Sequence, residues 1–314
     1  MGPHMGPHMG PRTGPRMGPR LAVFTKNLIN PAYAAARLGA ERVARRFAGA
    51  VEHYVPDIPD DVPQQIALID RAILSRPDAA VLTPVHQTRV NDAILRLNAA
   101  RIPMFTFVTP VTAGEPITFV GSDDTSIGKA IARRLFESLG GKGRIVILEG
   151  SPASETSRHR LTGFKATLAE FPSIELAGSL AGDYQRGVAR AAFQKFISAS
   201  PIPEGVLCAN DVMALGTIDA LTAQGQAAPP PTIVGVNAIP EAIDAIIAGR
   251  MLATADFNAM AMCAVATEAA FRHLRGETVP AQISLPALIV DRTNASQWAL
   301  PYDARELPVW GRVA

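Results

Sequence analysis

From Leu21 onward two hydrophobic rhythms take turns along the chain. Short continuous apolar runs, LAVFT at 21–25, VEHYV at 51–55, AAVLTP at 79–84, IPMFTF at 102–107 and ITFVG at 117–121, predict strands. Between them, residues 32–47, 62–75 and 87–99 carry the wider spacing of amphipathic helices. The relay then restarts with a helix from Asp123 to Leu139. Strands are predicted at 144–150, 174–180, 206–210, 232–237, 252–256 and 284–290, with helices at 154–170, 185–198, 211–223, 240–248 and 259–274. Strands that are apolar throughout are covered on both faces, which indicates βαβ units and a parallel sheet. Ten or eleven strands exceed what one open sheet comfortably holds. The pattern therefore predicts an α/β chain with two doubly wound parallel-sheet domains, breaking near Gly121–Thr125.

Composition narrows the picture. Hydrophobic residues are 48% and charged residues 18% of the 314, which excludes bulk disorder. No apolar run is long enough to cross a membrane as a helix, so direct membrane insertion is not expected. The first twenty residues repeat a four-residue Gly-Pro unit, with no apolar face to bury, and are expected to form a mobile tail outside the fold. That segment also lacks the apolar stretch of a secretory signal. Arg12, Arg16 and Arg20 fall within it; the rest holds 27 basic against 28 acidic residues, giving little support for a nucleic-acid partner. Cys208 and Cys263 read as small buried hydrophobes, and the histidines lack metal-ligand spacing.

In open α/β sheets, ligands bind beyond the carboxyl ends of the strands. Asn30 and Tyr33 follow the first predicted strand, Val108-Thr109 the fourth, and Ser151, Ser154, Arg158 and Arg160 the sixth. Tyr184, Asn210, Asn237, Asp256 and Phe257 follow later ones. Planar amides and carboxylates bond hydroxyls in pairs, an Arg fork spans adjacent oxygens, and aromatic faces cover the C–H face of a sugar ring. The chemistry suits a small polyhydroxylated molecule. No nucleophile elbow, zinc-protease motif or dinucleotide fingerprint is present. Gly121–Lys129 looks superficially like a phosphate loop, but six residues separate its glycines and Ala130 stands where a hydroxyl should hold magnesium; it reads as a strand end and a helix N-cap. No cofactor, metal or catalytic residue is assigned.

Six segments in order, LAVFTKNLINPAYAAARLGAERVA, VGSDDTSIGKAIA, EGSPASETSRHRLTGFKATL, GDYQRGVA, LCANDVMALGTIDAL and VGVNAIPEAIDAI followed by GRMLATADFN, resemble the periplasmic sugar-binding proteins of ABC transporters, of the ribose-binding type. The resemblance spans Leu21 to about Thr293. It implies a type I periplasmic binding protein fold, with two Rossmann-like lobes joined by a three-strand hinge. The implied lobes are 21–122 plus 259–287 and 123–258 plus 288–314, with hinges near Gly121–Asp123, Asp256–Asn258 and Leu285–Ile289. It further implies a periplasmic location, a monomer and a membrane permease as partner. The ligand would sit between Asn30 and Tyr33 on one side and Arg158, Arg160, Tyr184, Asn210, Asn237, Asp256 and Phe257 on the other. Ribose binders usually carry Asp-Arg after the fourth strand, where this chain has Val108-Thr109. A second family aromatic is replaced by Ala32, and a usual Asp is Asn237. These departures point to a polyol, an unusual sugar, or a sugar acid meeting Arg160. Two other readings are the effector-binding core of a lactose-repressor-type regulator and a sugar-modifying enzyme. The first needs a helix-turn-helix, and only the Gly-Pro repeat precedes Leu21. The second lacks paired carboxylates or an activated nucleophile. Trp298, Tyr302 and Trp310 are expected to pack on a lobe.

Overall fold

A computed structural model describes residues 18–225 and 229–313. The repeat through Met17 lies outside the described residues. Arg20, at the end of the expected tail, is already in the first strand, and its backbone N–H donates to Asp78 Oδ2 at 2.7 Å.

Strands β1 (Arg20–Phe24), β2 (Ala50–Tyr54), β3 (Ala79–Leu82), β4 (Met104–Phe107) and β5 (Thr118–Gly121) alternate with α1 (Pro31–Arg46), α2 (Val62–Ser75) and α3 (Asn91–Ala99). After α4 (Asp124–Ser138) come β6 (Lys142–Glu149), α5 (Glu155–Leu168), β7 (Ser173–Ala181), α6 (Arg186–Ala199), β8 (Gly205–Cys208) and α7 (Asp211–Ala223). The relay continues through β9 (Thr232–Val236), α8 (Pro240–Ile247), β10 (Ala253–Asp256) and α9 (Ala259–Leu274). It finishes with β11 (Gln282–Ser284), β12 (Leu288–Asp291), a 3-10 turn (Ala295–Gln297) and α10 (Trp310–Val313).

The strands form two six-stranded sheets, ordered β11-β5-β4-β3-β1-β2 and β12-β10-β9-β8-β6-β7. Every pairing is parallel except β10 with β12. The central strands β1, β3, β4 and β8 are almost wholly buried, as their unbroken apolar runs require. In each sheet the winding reverses between the first and third strands of its half, which places a crevice beyond β1/β3 and β6/β8.

One strand expected at 284–290 is two. β11 pairs with β5 in the first sheet and β12 with β10 in the second. Leu285, Pro286 and Ala287 carry the chain between sheets, and Pro286 has no N–H to extend a ladder. The chain also crosses after β5 and after β10.

The final segment touches both halves. Trp298 Nε1 donates to Asp256 Oδ2 at 2.8 Å, while Arg42 of α1 donates to the Tyr302 and Arg305 carbonyls at 3.3 and 2.6 Å. The Arg272 guanidinium of α9 lies 5.0 Å from the Trp310 ring centroid. Tyr302, Arg305 and Trp310 thus lie against helices α1 and α9, which pack with the first sheet. Trp298 and Trp310 pack against the main core as expected. Cys208 and Cys263 are buried and unbonded to each other.

Candidate functional site

The crevices of the two sheets face each other and enclose a cavity of about 110 Å³. Asn30, Tyr33, Arg160, Tyr184, Asn210, Asn237 and Phe257 all line it. Each is placed by its element. Asn30 and Asn210 are the N-caps of α1 and α7; their Oδ1 atoms accept from Ala32 N and Met213 N, both at 3.0 Å. Capping fixes each amide by its oxygen and leaves its nitrogen for other work. The Asn210 Nδ2 is buried without a hydrogen-bond partner, on a residue 1% exposed. A buried donor left unmade is costly, so this one marks where an acceptor belongs.

Arg160 projects from α5 and is 3% exposed. Its Nε donates to Asp124 Oδ1 at 2.8 Å and its Nη1 to the Ala209 carbonyl at 2.8 Å. The guanidinium lies 4.7 Å from the Phe257 ring centroid. Burial works most strongly against its charge, but the Asp124 carboxylate, together with the nearby Tyr184 and Tyr33, outweighs that and holds the guanidinium above its ordinary pKa. Arg160 is thus a rigid, already neutralised fork with donors to spare.

Tyr184 lies flat over Gly150, where any Cβ would come within 2.3 Å of the ring. Its hydroxyl bonds Thr156 Oγ1 at 3.1 Å. Burial raises the pKa of both Tyr33 and Tyr184, so both stay neutral. Four lining residues take left-handed backbone conformations: Asp60 (φ 58°), Val108 (φ 66°), Tyr184 (φ 58°) and Asn237 (φ 125°). At Val108 the backbone folds into a γ-turn, closed by Thr109 N donating to the Phe107 carbonyl at 2.7 Å. Such strain on a β-branched residue persists only where packing over-determines it, and here strained positions ring the cavity from both lobes.

Two expected contacts lie elsewhere. Arg158, on the exposed face of α5, reaches across the cleft instead, its Nη2 donating to Gln87 Oε1 at 3.3 Å. Gln87 Nε2 in turn donates to Glu155 Oε1 at 2.9 Å, so Gln87 is bonded to the opposite lobe twice. Asp256 turns away from the cavity, because its carboxylate accepts from Trp298 Nε1 at 2.8 Å and Asn258 N at 2.9 Å. It lines a second, larger space of about 620 Å³ beneath the C-terminal segment.

Two charged residues that line the cavity from the first lobe, Lys26 and Asp60, are absent from the set read out of the sequence, as is the exposed Arg89. Lys26 follows β1 and is 4% exposed, with Nζ donating to Thr109 Oγ1 at 3.0 Å. Asp60 sits in the loop before α2, and its Oδ2 accepts from Asn27 Nδ2 at 3.4 Å. A lysine after a strand ordinarily reads as solvated; its position beyond β1, at the reversal point, was the available signal. Among the described residues no cluster of three or more His, Cys, Asp or Glu could hold a metal ion.

The periplasmic binding protein domain profile matches residues 21–278. The ribose import binding protein of Bacillus subtilis is 25% identical over 266 residues, covering 85% of this chain and 84% of that one. The xylitol-binding protein of Mycolicibacterium smegmatis is 27% identical over 245 residues, covering 76% and 68%. A crystal structure of an ABC transporter periplasmic solute binding protein from Actinobacillus succinogenes, with bound D-allose, superposes with a TM-score of 0.83 at 26% identity, covering 88% of this chain and 99% of that one. Two parallel α/β lobes, three crossings and a polar cavity at the facing strand ends fit that family throughout, and the chain belongs to it: it is a periplasmic binding protein.

Proposed function

We propose that this protein is the solute-binding component of an ABC importer, which encloses a small neutral sugar or polyol between its lobes and passes it unchanged to a membrane permease. The observation that carries the reading is the enclosed cavity itself, lined from both lobes by amides, phenols and hydrogen-bonded charges. The relatives named for ribose, xylitol and D-allose support the ligand class. Arg160, where a sugar acid was expected to dock, already carries the Asp124 carboxylate at 2.8 Å, which favours a neutral ligand. Import and solute-binding relatives do not favour the repressor-core reading. Membership of the periplasmic binding proteins supports a periplasmic location.

Function follows from differential affinity. A ligand bonded to both lobes stabilises the closed form relative to the open one, and release reverses this. A thermal-shift panel of D-ribose, D-allose, xylitol and glycerol tests the reading. At a hundred times its Kd, a ligand adds about 2.7 kcal/mol and raises Tm by several degrees. Flat melting across the panel contradicts it.

A further inference from the structure

Apart from the exposed Arg89, Lys26 and Asp60 are the cavity-lining charges with the fewest commitments. Their backbones are tied together, Asp60 N donating to the Lys26 carbonyl at 3.1 Å. Both side chains line the cavity from the first lobe. Lys26 Nζ makes one hydrogen bond, to Thr109 Oγ1, and among the described residues no carboxylate oxygen pairs with it as a salt bridge. An ammonium has three donors, and burying one without a close counter-ion is costly. Asp60 accepts a single long bond from Asn27 and keeps most of its lone pairs. Burial raises the Asp60 pKa and lowers that of Lys26, each opposed by the other's charge.

Resting on the solute-binding reading above, we propose that Lys26 and Asp60 together form the clamp that selects the ligand: one hydroxyl accepts from the Lys26 ammonium while a neighbouring hydroxyl donates to the Asp60 carboxylate. The turn after β4, Val108-Thr109, offers the cavity no charge of its own. Thr109 anchors the lysine instead, and the acid–cation pair comes from the loops after β1 and β2. The pair also sets ligand charge. A carboxylate group would meet Lys26 but face Asp60. An ammonium group would meet Asp60 but face Lys26, with Arg160 also lining the cavity. A neutral vicinal diol satisfies both groups.

The test titrates wild type, Lys26→Met and Asp60→Asn calorimetrically with D-allose, xylitol, myo-inositol, D-gluconate and D-glucosamine, with melting curves of the free proteins as folding controls. Wild type is expected to take a neutral compound and to reject gluconate and glucosamine. Each variant is expected to stay folded and to bind that neutral compound about tenfold to a hundredfold more weakly, the scale of a hydrogen bond to a charged group. Unchanged affinity in folded variants overturns the clamp and leaves the solute-binding reading standing. Tighter gluconate binding in Asp60→Asn than in wild type, with gluconate the preferred wild-type ligand, overturns it in favour of an anion site. Failure of every compound to bind wild type overturns both.

Discussion

At the scale of single residues, the lining side chains act through what they have left over after holding the fold. Asn210 spends its oxygen on the α7 cap and keeps a buried, partnerless Nδ2. Replacing it with Ala removes both, so Asn210→Ala is expected to weaken binding of the panel ligand about tenfold to a hundredfold and to lower Tm through the lost cap; equal affinity by calorimetry rules out its role. Arg160 differs, because its partner Asp124 is equally buried. Arg160→Met strands that carboxylate, with an expected cost of about 3–5 kcal/mol, and adding Asp124→Asn should recover much of it in denaturant melts. Beside them, burial pushes the Asp211 carboxyl from its ordinary 3.8 up to about 7, against hydrogen bonds from Thr254 Oγ1 and Ile239 N that favour the charge. The folded state then holds this proton more tightly than the unfolded chain. The associated stability is full in acid below the ordinary value and is lost as pH rises through about 7. Unfolding of wild type measured against Asp211→Asn should shift against wild type between pH 4.5 and pH 8; a difference independent of pH contradicts the assignment.

At the scale of elements, close helix packing brings the charged pair together. A Cβ on Gly163 of α5 would lie 2.3 Å from the Thr125 carbonyl, and one on Gly128 of α4 would lie 2.4 Å from the Arg160 carbonyl. The two helices touch backbone to backbone there, which sets Asp124 on the first turn of α4 opposite Arg160 on α5. Gly128, in the stretch that looked superficially like a phosphate loop, is therefore a packing residue. Gly163→Ala is expected to force α4 and α5 apart, lowering Tm and weakening ligand binding together; a variant with native melting and affinity refutes this. Most elements were legible in the sequence, because buried parallel strands and amphipathic helices leave different apolar spacings. The run 284–290 misled because hydrophobicity does not record a change of sheet; only Pro286 hinted at it. Arg158 and Asp256 were read as ligand contacts from strand-end position. Their hydrogen-bond partners in the structure, Gln87 and Trp298, lie 71 and 42 residues away and leave no local mark. Lys26 and Asp60 escaped for a related reason, since Lys26's partner Thr109 lies 83 residues away and Asp60's partner Asn27 lies 33 residues away.

At the scale of the molecule, the lobes meet at the cleft rim through Gln87, and the C-terminal segment spans them behind. Arg305 Nη1 donates to the Ala238 carbonyl of the second lobe at 3.3 Å while Arg42 of the first lobe holds the Arg305 carbonyl. A segment bonded to both lobes in the closed arrangement biases the opening equilibrium, and affinity scales with the closed fraction. Arg305→Ala is thus expected to raise the Kd of the panel ligand about fivefold, on the scale of one lost hydrogen bond, although Arg305 is not among the residues lining the cavity; an unchanged Kd contradicts this. Closure on an unreacted guest underlies every statement about affinity made above. Small-angle X-ray scattering during titration with the compound that raises Tm addresses it most directly. Wild type should contract as it saturates, its curve converging on that calculated from the closed structure. Scattering that stays the same from free to saturated protein would contradict the account.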